Sequence, residues 1–344
     1  MKKASRFLVA LLALFIVFAA WVWNSRTGQD WLLETALTTA LTSPSSMKQY
    51  DGLKVFLCGT SSPLPDPNRA QACVAVLAGE SLFLVDAGAG SARVATLGRL
   101  PLEQLEQVFL THYHSDHIAA LPEFNLNSWV AGRPQPLTVY GPDGVIEVVE
   151  GFNDTYRLDT KYRVQHHGAE LLPPDIGPMQ AEVMDGGTTL EFGEVSVTSF
   201  LVDHNPVRPA VGYRFDYRGR SVVISGDTIV VPGLIEAATD ADLLLQDALS
   251  LLIVQTFERA AVGTRMEKIF FDIQDYHAST TDLADLVEKS GVRQLALYHL
   301  VPPPQNALLE KIFSRDLPED TVLTSDGMIF ELPANSEEII RIDP

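Results

Sequence analysis

Apolar residues fall into two blocks of short runs, and each block has the pattern of a β-sheet. Runs of this kind, rich in Val, Leu and Phe and bounded by Gly, Pro and Ser, predict strands. The first block predicts strands at Leu53–Leu57, Ala72–Leu77, Ser81–Val85, Val108–Leu110 and Leu137–Tyr140. The second block predicts strands at Gln180–Met184, Thr188–Phe192, Val195–Leu201, Ala210–Phe215, Ser221–Ile224, Leu243–Leu245 and Gln294–Tyr298, with short strands near Val322 and Met328.

Helical patterns lie between and after these strands. Helices are predicted at Leu121–Val130, Val145–Tyr156, Leu249–Ile273, Thr281–Lys289 and Asn306–Phe313. The segment Arg157–Gly177, which contains His166 and His167, is polar and predicted to be irregular. Because blocks of strands alternate with helices twice, we predict a mixed α/β fold with two sheets inside and helices outside, an αββα sandwich of four layers.

The first residues have a different pattern. Lys2, Lys3 and Arg6 precede an uncharged apolar run, Phe7–Trp23, which is short for a bilayer span and long for the core of a signal peptide. We expect a membrane anchor at 1–24, with a cleaved signal peptide as the alternative. A tether at 25–51, with a weakly helical piece at Trp31–Leu41, and one folded domain at 52–344 follow. The positive-inside rule then places the domain outside the cytoplasm, in the periplasm if the cell is a Gram-negative bacterium.

Composition adds two expectations. The net charge of −19 and the pI near 4.7 describe an acidic surface, which repels phosphate backbones, so nucleic acid is not expected as a partner. The two cysteines, Cys58 and Cys73, can pair in an oxidising compartment or be buried separately in their strands. The sequence leaves both arrangements open.

The chemistry is concentrated in one stretch, Thr111–His117, between an apolar strand and a helix. His112 and His114 alternate on an extended segment and point the same way, whereas Asp116 and His117 lie at the turn into the helix. Imidazole and carboxylate groups are zinc-type ligands, so one loop can contribute to two metals. This H-x-H-x-D-H pattern resembles the signature of the metallo-β-lactamase superfamily.

Further candidate ligands lie at the ends of other predicted strands. His112, His114 and His204 are predicted to hold one metal, and Asp116, His117 and His299 the other, with Asp227 between them. We expect two zinc ions, although manganese or iron also accepts such ligands. Asp86, after a strand, lies where members of the superfamily carry an aspartate that braces the metal loops.

Other motifs resemble the ribonuclease Z and arylsulfatase-like branch of the superfamily, over residues 53–330. The motifs are Gly59–Pro63 with Arg69, Gly212-Tyr213-Arg214 after His204, Ser225–Thr228, His277–Thr280 and Leu297-Tyr298-His299. The resemblance implies that His277 assists the leaving group. The expected catalytic residues are therefore His277, Asp116 and Asp247, with Asp247 orienting His277.

Two features depart from ribonuclease Z. That family carries an arm that grips tRNA between the Gly-Tyr-Arg strand and the Gly-Asp-Thr loop, but here the interval is only Phe215–Ser225. Where the family has a His-Glu pair, this chain has Gln246-Asp247. The long segment Leu249–Ile273 is predicted to roof the pocket with apolar residues such as Leu251, Leu252, Ile253 and Phe257.

These observations predict a hydrolase that cleaves a phosphodiester, a sulfate ester or a related small ester with a hydroxide activated between two metals. The expected partners are a small-molecule ester and a membrane, through the N-terminal helix, and a homodimer is left open. One alternative is a ribonuclease Z-type endoribonuclease that processes the 3′ end of tRNA. A second is a metal-binding protein without turnover.

Overall fold

Two β-sheets enclose the central apolar core of the protein. The computed structural model describes residues 2–42, 47 and 49–344. The first sheet has the order β15-β14-β1-β2-β3-β4-β5-β6. Its strands are β1 (Tyr50–Gly59), β2 (Cys73–Gly79), β3 (Ser81–Val85), β4 (Leu105–Phe109), β5 (Thr138–Gly141), β6 (Gln180–Val183), β14 (Ile329–Pro333) and β15 (Ile340–Ile342).

The second sheet has the order β13-β12-β11-β10-β9-β8-β7. Its strands are β7 (Thr189–Phe192), β8 (Val195–Leu201), β9 (Val211–Tyr217), β10 (Arg220–Ile224), β11 (Leu243–Leu249), β12 (Gln294–Val301) and β13 (Val322–Leu323). Every residue of β11 is buried, as expected for a strand that is covered on both faces. The inner faces of both sheets share one core that contains Phe83, Phe109, Tyr213 and Phe215.

Helices within residues 47–344 cover the outer face of each sheet, whereas the first two helices belong to a separate compact unit, residues 1–46. The helices are α1 (Lys2–Asn24), α2 (Arg26–Thr42), α3 (Ser91–Leu97), α4 (Ser115–Ile118), α5 (Leu121–Ala131), α6 (Val145–His167), α7 (Pro232–Ala237), α8 (Leu251–Ala260), α9 (Arg265–Asp272), α10 (Leu283–Ser290) and α11 (Ala307–Phe313). Buried residues of α3, α5 and α6 pack on the first sheet, and those of α7, α8, α10 and α11 pack on the second. The predicted αββα sandwich is confirmed.

The chain divides into two compact units, residues 1–46 and 47–344. In the first unit, α1 packs on α2 through aromatic rings, with the ring centroids of Phe18 and Trp31 5.6 Å apart. The stretch Phe7–Asn24 is long and apolar enough to cross a membrane by length and composition, a property that signal sequences share. Residues 43–46 and 48 of the expected tether lie outside the described residues. The divisions at 24 and 51 stay predictions.

Two local predictions need correction. Arg157–His167, predicted to be irregular, continues α6, because its polar residues are good helix formers and Arg163 forms an ion pair with Asp159 one turn earlier (2.7 Å). Gly168 then ends the helix with a positive φ of 90°. The predicted helix over Leu249–Ile273 consists of two helices, α8 and α9, with Gly263 in the turn between them.

The two cysteines are paired. Cys58 near the end of β1 and Cys73 at the start of β2 form a disulfide between adjacent antiparallel strands. Both side chains are buried. The disulfide therefore ties the first two strands of the domain beside the loop that joins them.

A buried ion pair links the two sheets. Arg220, at the start of β10, donates from Nε to Asp242 Oδ2 (3.0 Å) and from a terminal nitrogen to the Pro333 carbonyl in β14 (3.0 Å). Burial raises the pKa of Asp242, but hydrogen bonds from Arg220 and Ser221 outweigh this effect and hold the pKa below its ordinary value.

We expect Asp242→Asn to lower the free energy of unfolding by about 3 kcal/mol, because it leaves the Arg220 charge buried without its partner. Urea unfolding of the detergent-solubilised chain measures this loss. Asp240→Asn is the matched control, since Asp240 is exposed on the same connection. Because the folded pKa of Asp242 is lowered, its contribution is present above the ordinary aspartate pKa and disappears as the pH falls through the folded value. Equal stability of the two variants at neutral pH would contradict the prediction.

Candidate metal centre

Strand ends and one strand interior bring the polar residues predicted from the sequence to one place. The loop after β4 supplies His112 and His114, and the short helix α4 that follows supplies Asp116 and His117. The loops after β8 and β10 supply His204 and Asp227. His299 lies within β12. In this part of the described chain, two groups of four side chains have their ligand atoms within 4.8 Å of one another: His112, His114, His204 and Asp227, and Asp116, His117, Asp227 and His299.

The first group is built from three imidazoles. Nδ1 of His114 lies 3.1 Å from Nε2 of His112 and 3.3 Å from Nε2 of His204. Oδ2 of Asp227 lies 3.9 Å from Nε2 of both His112 and His204. His114 is the exposed member of the group, whereas the other three residues are buried, so solvent reaches the site from the His114 side.

The second group is wholly buried and combines two imidazoles with two carboxylates. Nε2 of His117 lies 3.3 Å from Asp227 Oδ2 and 3.6 Å from Asp116 Oδ2. His299 lies between the same carboxylates, 3.2 Å from Asp116 Oδ2 and 3.4 Å from Asp227 Oδ1. Asp227 is therefore common to both groups.

Neighbouring acceptors fix the orientation of three of these imidazoles. Each ring donates from Nδ1: His112 to Thr111 Oγ1 (3.1 Å), His117 to Asp86 Oδ2 (2.8 Å) and His204 to the Tyr276 carbonyl (2.9 Å). In the neutral form of each ring, this tautomer leaves Nε2 as a lone-pair donor directed at the shared centre, as metal-binding histidines require.

Asp86 is the brace of the metal loop. Its carboxylate accepts hydrogen bonds from the backbone and the hydroxyl of Thr111 and from His117 Nδ1. The residue has a positive φ of 58°, which is uncommon for residues other than Gly, although Asp adopts it more readily than most. The following turn is tight as well, because a Cβ on Gly88 would lie 2.2 Å from the Asp116 carbonyl.

The donor set fits divalent metals. His117 Nε2, Asp227 Oδ1 and His299 Nδ1 are buried and have no hydrogen-bond partner among the described residues. A buried polar atom without a partner is costly, and a cation at the centre of these groups would satisfy all three. Nitrogen and carboxylate ligands suit zinc and also manganese or iron.

The electrostatics of the site favour positive charge at its carboxylate side. Burial lowers the pKa of His117, but the carboxylates of Asp227, Asp86 and Asp116 outweigh burial and raise this pKa well above its ordinary value. Burial lowers the pKa of His112, which lies farther from carboxylates, well below its ordinary value. A cation is therefore stabilised most strongly near Asp116 and Asp227.

A second pair, His277 and Asp247, lies against the same centre. His277 donates from Nδ1 to Asp247 Oδ2 (2.9 Å), and Gln246 donates to Asp247 Oδ1 (2.6 Å). Burial lowers the pKa of His277 to about 4, while burial and the Asp227 carboxylate raise the pKa of Asp247. His277 and Asp247 also form a third cluster with Asp227 and His299.

A β-bulge brings Asp247 and His299 into the site from inside strands, which the sequence did not predict. Between the pairs Gln246–Leu297 and Ala248–Leu300, one residue of β11 faces two residues of β12. The extra residue re-aims the side chains at this point. His299 was predicted at a strand end, but β12 continues to Val301.

The sequence analysis also missed Thr111 and Tyr276 as holders of histidines. Tyr276 uses its backbone carbonyl, which leaves no signal in the sequence. His166 and His167 are exposed at the end of α6 and belong to none of the three clusters. Leu252 and Phe257, expected to roof the pocket, are exposed.

Comparisons with known proteins identify the family. The family description "Beta-lactamase superfamily domain" matches residues 82–300. Ribonuclease Z of Mycobacterium marinum is 36% identical over 253 residues, which cover 73% of this chain and 87% of that protein. Ribonuclease Z of Mycolicibacterium paratuberculosis is 37% identical over the same number of residues, which cover 73% of this chain and 86% of that protein.

Solved structures show the same fold at lower identity. The metallo-β-lactamase fold protein YhfI from Bacillus subtilis matches with a TM-score of 0.59 and 21% identity, over 82% of this chain and 100% of that protein. The short form of human tRNase Z matches with a TM-score of 0.58 and 20% identity, over 81% of this chain and 99% of that protein.

Two predicted partner properties are wrong. The relatives are named ribonuclease Z, which conflicts with a small-molecule ester as the substrate and with the exclusion of nucleic acid. The charge argument failed because net charge sums the whole surface, whereas salt screens charges beyond about 8–10 Å, so distant acidic residues say little about one site. Sulfate ester hydrolysis stays a prediction that these relatives do not support. The chain belongs to the metallo-β-lactamase superfamily, in its ribonuclease Z-like branch.

Proposed function

We propose that this protein is a metal-dependent hydrolase that cleaves phosphodiester bonds in RNA. The observation that carries the proposal is the convergence of seven His and Asp side chains into two four-ligand groups that share Asp227. The ribonuclease Z relatives, which match across most of the chain, support RNA as the substrate class.

In this proposal the two groups hold two divalent metals, with zinc as the first candidate. Bound metals supply a lowered water pKa, near 7 for zinc, and neutralise charge on the phosphoryl group. Thr111, Asp86 and Tyr276 hold the ligand rings in one tautomer, so the site is organised before the substrate binds.

His277 is proposed to pass a proton from solvent to the leaving oxygen. Because its lowered pKa leaves the ring neutral at neutral pH, Nε2 first takes up the proton and then gives it to that oxygen. Nδ1 of His277 is occupied by Asp247, which leaves Nε2 as the atom that exchanges the proton. Asp247 is itself held in place: Gln246 donates to its carboxylate, and its own backbone N–H donates to Ser225 Oγ (3.1 Å). The imidazole of His277 therefore cannot rotate without breaking its hydrogen bond to a fixed carboxylate. Asp116 is proposed to act as a metal ligand, and its carboxylate also lies beside the imidazole of His299, with Oδ2 3.2 Å from Nε2.

The connection between β9 and β10 differs from the one that the family resemblance implies. The strands β9 and β10 are joined only by Arg218 and Gly219, so the tRNA-gripping arm has no place there. The activity is therefore to be assayed on an unstructured RNA as well as on a precursor tRNA with a 3′ trailer.

The domain is proposed to lie outside the cytoplasm, anchored by α1 and separated from it by the tether at 25–51. The basic residues Lys2, Lys3 and Arg6 precede the apolar stretch Phe7–Asn24, which favours a cytoplasmic N-terminus. The Cys58–Cys73 disulfide supports an oxidising compartment, where such bonds form and persist.

We expect the purified chain to bind two equivalents of zinc. His299→Ala and His114→Ala should each lower the metal content and the melting temperature of the metal-loaded protein, because each variant removes a ligand from one group. Plasma emission spectrometry after gel filtration measures the metal. His167→Ala, an exposed histidine outside the site, is the matched control. Undiminished metal content in both ligand variants would remove the proposed sites.

We expect His277→Ala to lower kcat for RNA cleavage by about 100-fold or more at unchanged metal content, because it removes the proton donor and no ligand. Labelled RNA resolved on denaturing gels measures cleavage, and His114→Ala shows the background. If the metallated wild type cleaves neither RNA substrate, the proposed function is wrong. If His277→Ala retains full activity, only the role of His277 is wrong.

We expect the domain to be digested by external protease in intact spheroplasts that express the full chain. The protease should reach the domain without lysis of the cells, since the span leaves the domain on the outer side of the membrane. A cytoplasmic marker protein must stay intact in the same sample. Protection of the domain until the cells are lysed would place it in the cytoplasm and refute the orientation.

A further inference from the structure

The segment between Asp247 and His277 carries a surface that the hydrolytic site does not use. Helices α8 and α9 form a hairpin with its turn at residues 261–264, and the hairpin is rooted beside the site. Leu249 N donates to the Ala278 carbonyl (2.7 Å), and Ser250 N donates to the Val301 carbonyl (2.9 Å). The rings of Phe257 and Phe270, with centroids 5.4 Å apart, hold the two helices together.

The outer surface of this hairpin is apolar. Six large apolar side chains between positions 252 and 271 are exposed, namely Leu252, Phe257, Val262, Met266, Ile269 and Phe271. Helix α9 contains no buried residue at all. Single exposed apolar residues are ordinary on a protein surface, but six of them within two short helices and their turn are more than scattered single residues and favour an interaction surface.

Three of these side chains, Val262, Met266 and Ile269, lie in the turn or within the first five residues of α9. Met266 and Ile269, three positions apart, share one face of α9, and Val262 precedes them in the turn. Val262, in the turn itself, is the most exposed of the six at 69%. An apolar tip with apolar residues along one helix face matches the pattern of helices that lie in a membrane interface.

The charges of the hairpin also favour a lipid surface over nucleic acid. Residues 251–272 contain three basic residues, Arg259, Arg265 and Lys268, and three acidic residues, Glu258, Glu267 and Asp272. Lys268 pairs with Asp272, and its ammonium lies 5.7 Å from the centre of the Phe271 ring. The hairpin is therefore neutral within a chain of net charge −19, whereas RNA binding needs an excess of cations.

The length of the chain keeps a bilayer within reach of the hairpin. Because α2 (Arg26–Thr42) packs on α1, the chain between this helical pair and the domain is short, and residues 43–46 span at most about 15 Å. If α1 spans a membrane, the domain stays within roughly its own diameter of that membrane. This step rests on the anchor proposed above, and not on the hydrolytic activity.

We propose that the α8–α9 hairpin docks into the lipid interface of the membrane that holds α1, with Val262, Met266 and Ile269 as the inserted side chains. Docking fixes the orientation of the domain, because the hairpin is rooted at Leu249 and Ser250, next to Asp247. The metal centre is then held beside the bilayer surface and does not move freely on the tether.

The test places an environment-sensitive nitrobenzoxadiazole label at the tip. Val262→Cys offers a single reactive thiol, since both native cysteines are disulfide-bonded. Leu97→Cys is the matched control, because Leu97 at the end of α3 is 71% exposed, as much as Val262, and lies on the outer layer of the other sheet. The full chain is reconstituted into phosphatidylcholine vesicles that contain phosphatidylglycerol.

We expect the label at position 262 to shift its emission to the blue and to lose about half of its intensity when the lipids carry brominated acyl chains. The label at position 97 should keep the emission of water. Water-like emission at 262 overturns the proposal. A blue shift without quenching by bromolipid also overturns it and assigns the surface to a second protein copy.

Two further measurements separate the causes. Flotation of the vesicles reports on membrane attachment of any kind, so a chain that floats with a water-exposed label at 262 keeps the anchor and refutes only the docking of the hairpin. A chain that does not float refutes both the anchor and the docking. Finally, a blue shift at 262 that appears only when RNA is added assigns the hairpin to the substrate and overturns the lipid proposal.

Discussion

The buried carboxylate of Asp227 is the group to which the rest of the site is fitted. Burial opposes its charge, but the imidazoles of His299 and His117 outweigh burial and hold the pKa well below the ordinary value. The chain can place this carboxylate only because Gly226 precedes it with a φ of 63°, and a Cβ there would lie 2.9 Å from Thr111 Cβ. The loop after β10 and the loop after β4 are thus packed against each other at the centre of the molecule.

That contact explains why one site needs both halves of the sandwich. Asp86, Thr111 and His117 come from the first sheet, and His204 and Asp227 come from the second. Tyr213 of the second sheet donates to the Leu110 carbonyl of the first (2.8 Å), next to the metal loop. Relative movement of the sheets would break the ligand geometry, so the large apolar core between them serves the site as well as stability.

The sequence predicted the fold and the groups of converging residues because both leave strong local patterns. Alternating blocks of strands and helices predict the layers of the sandwich, and the segment Thr111–His117 predicts the metal ligands. Asp247 and His299 were located by motif, yet their shared β-bulge was not foreseen, because a bulge depends on the register between distant strands. The carbonyl of Tyr276 acts through the backbone, which leaves no signal in the side chains. The extension of α6 to His167 is polar and has no apolar periodicity from which a helix could be predicted.

The acidic composition led to the wrong exclusion of nucleic acid because net charge says little about a local surface. The same reasoning applies to the α8–α9 hairpin. A net charge of −19 opposes adhesion of the whole surface to anionic lipid or RNA, but such repulsion is screened within about 8–10 Å. Binding is therefore decided by the few residues at the contact. At the hairpin those residues are neutral in sum and apolar, so the acidic remainder of the domain limits how much surface can approach a bilayer. A narrow apolar tip such as Val262 avoids that repulsion, whereas a broad docking face would not.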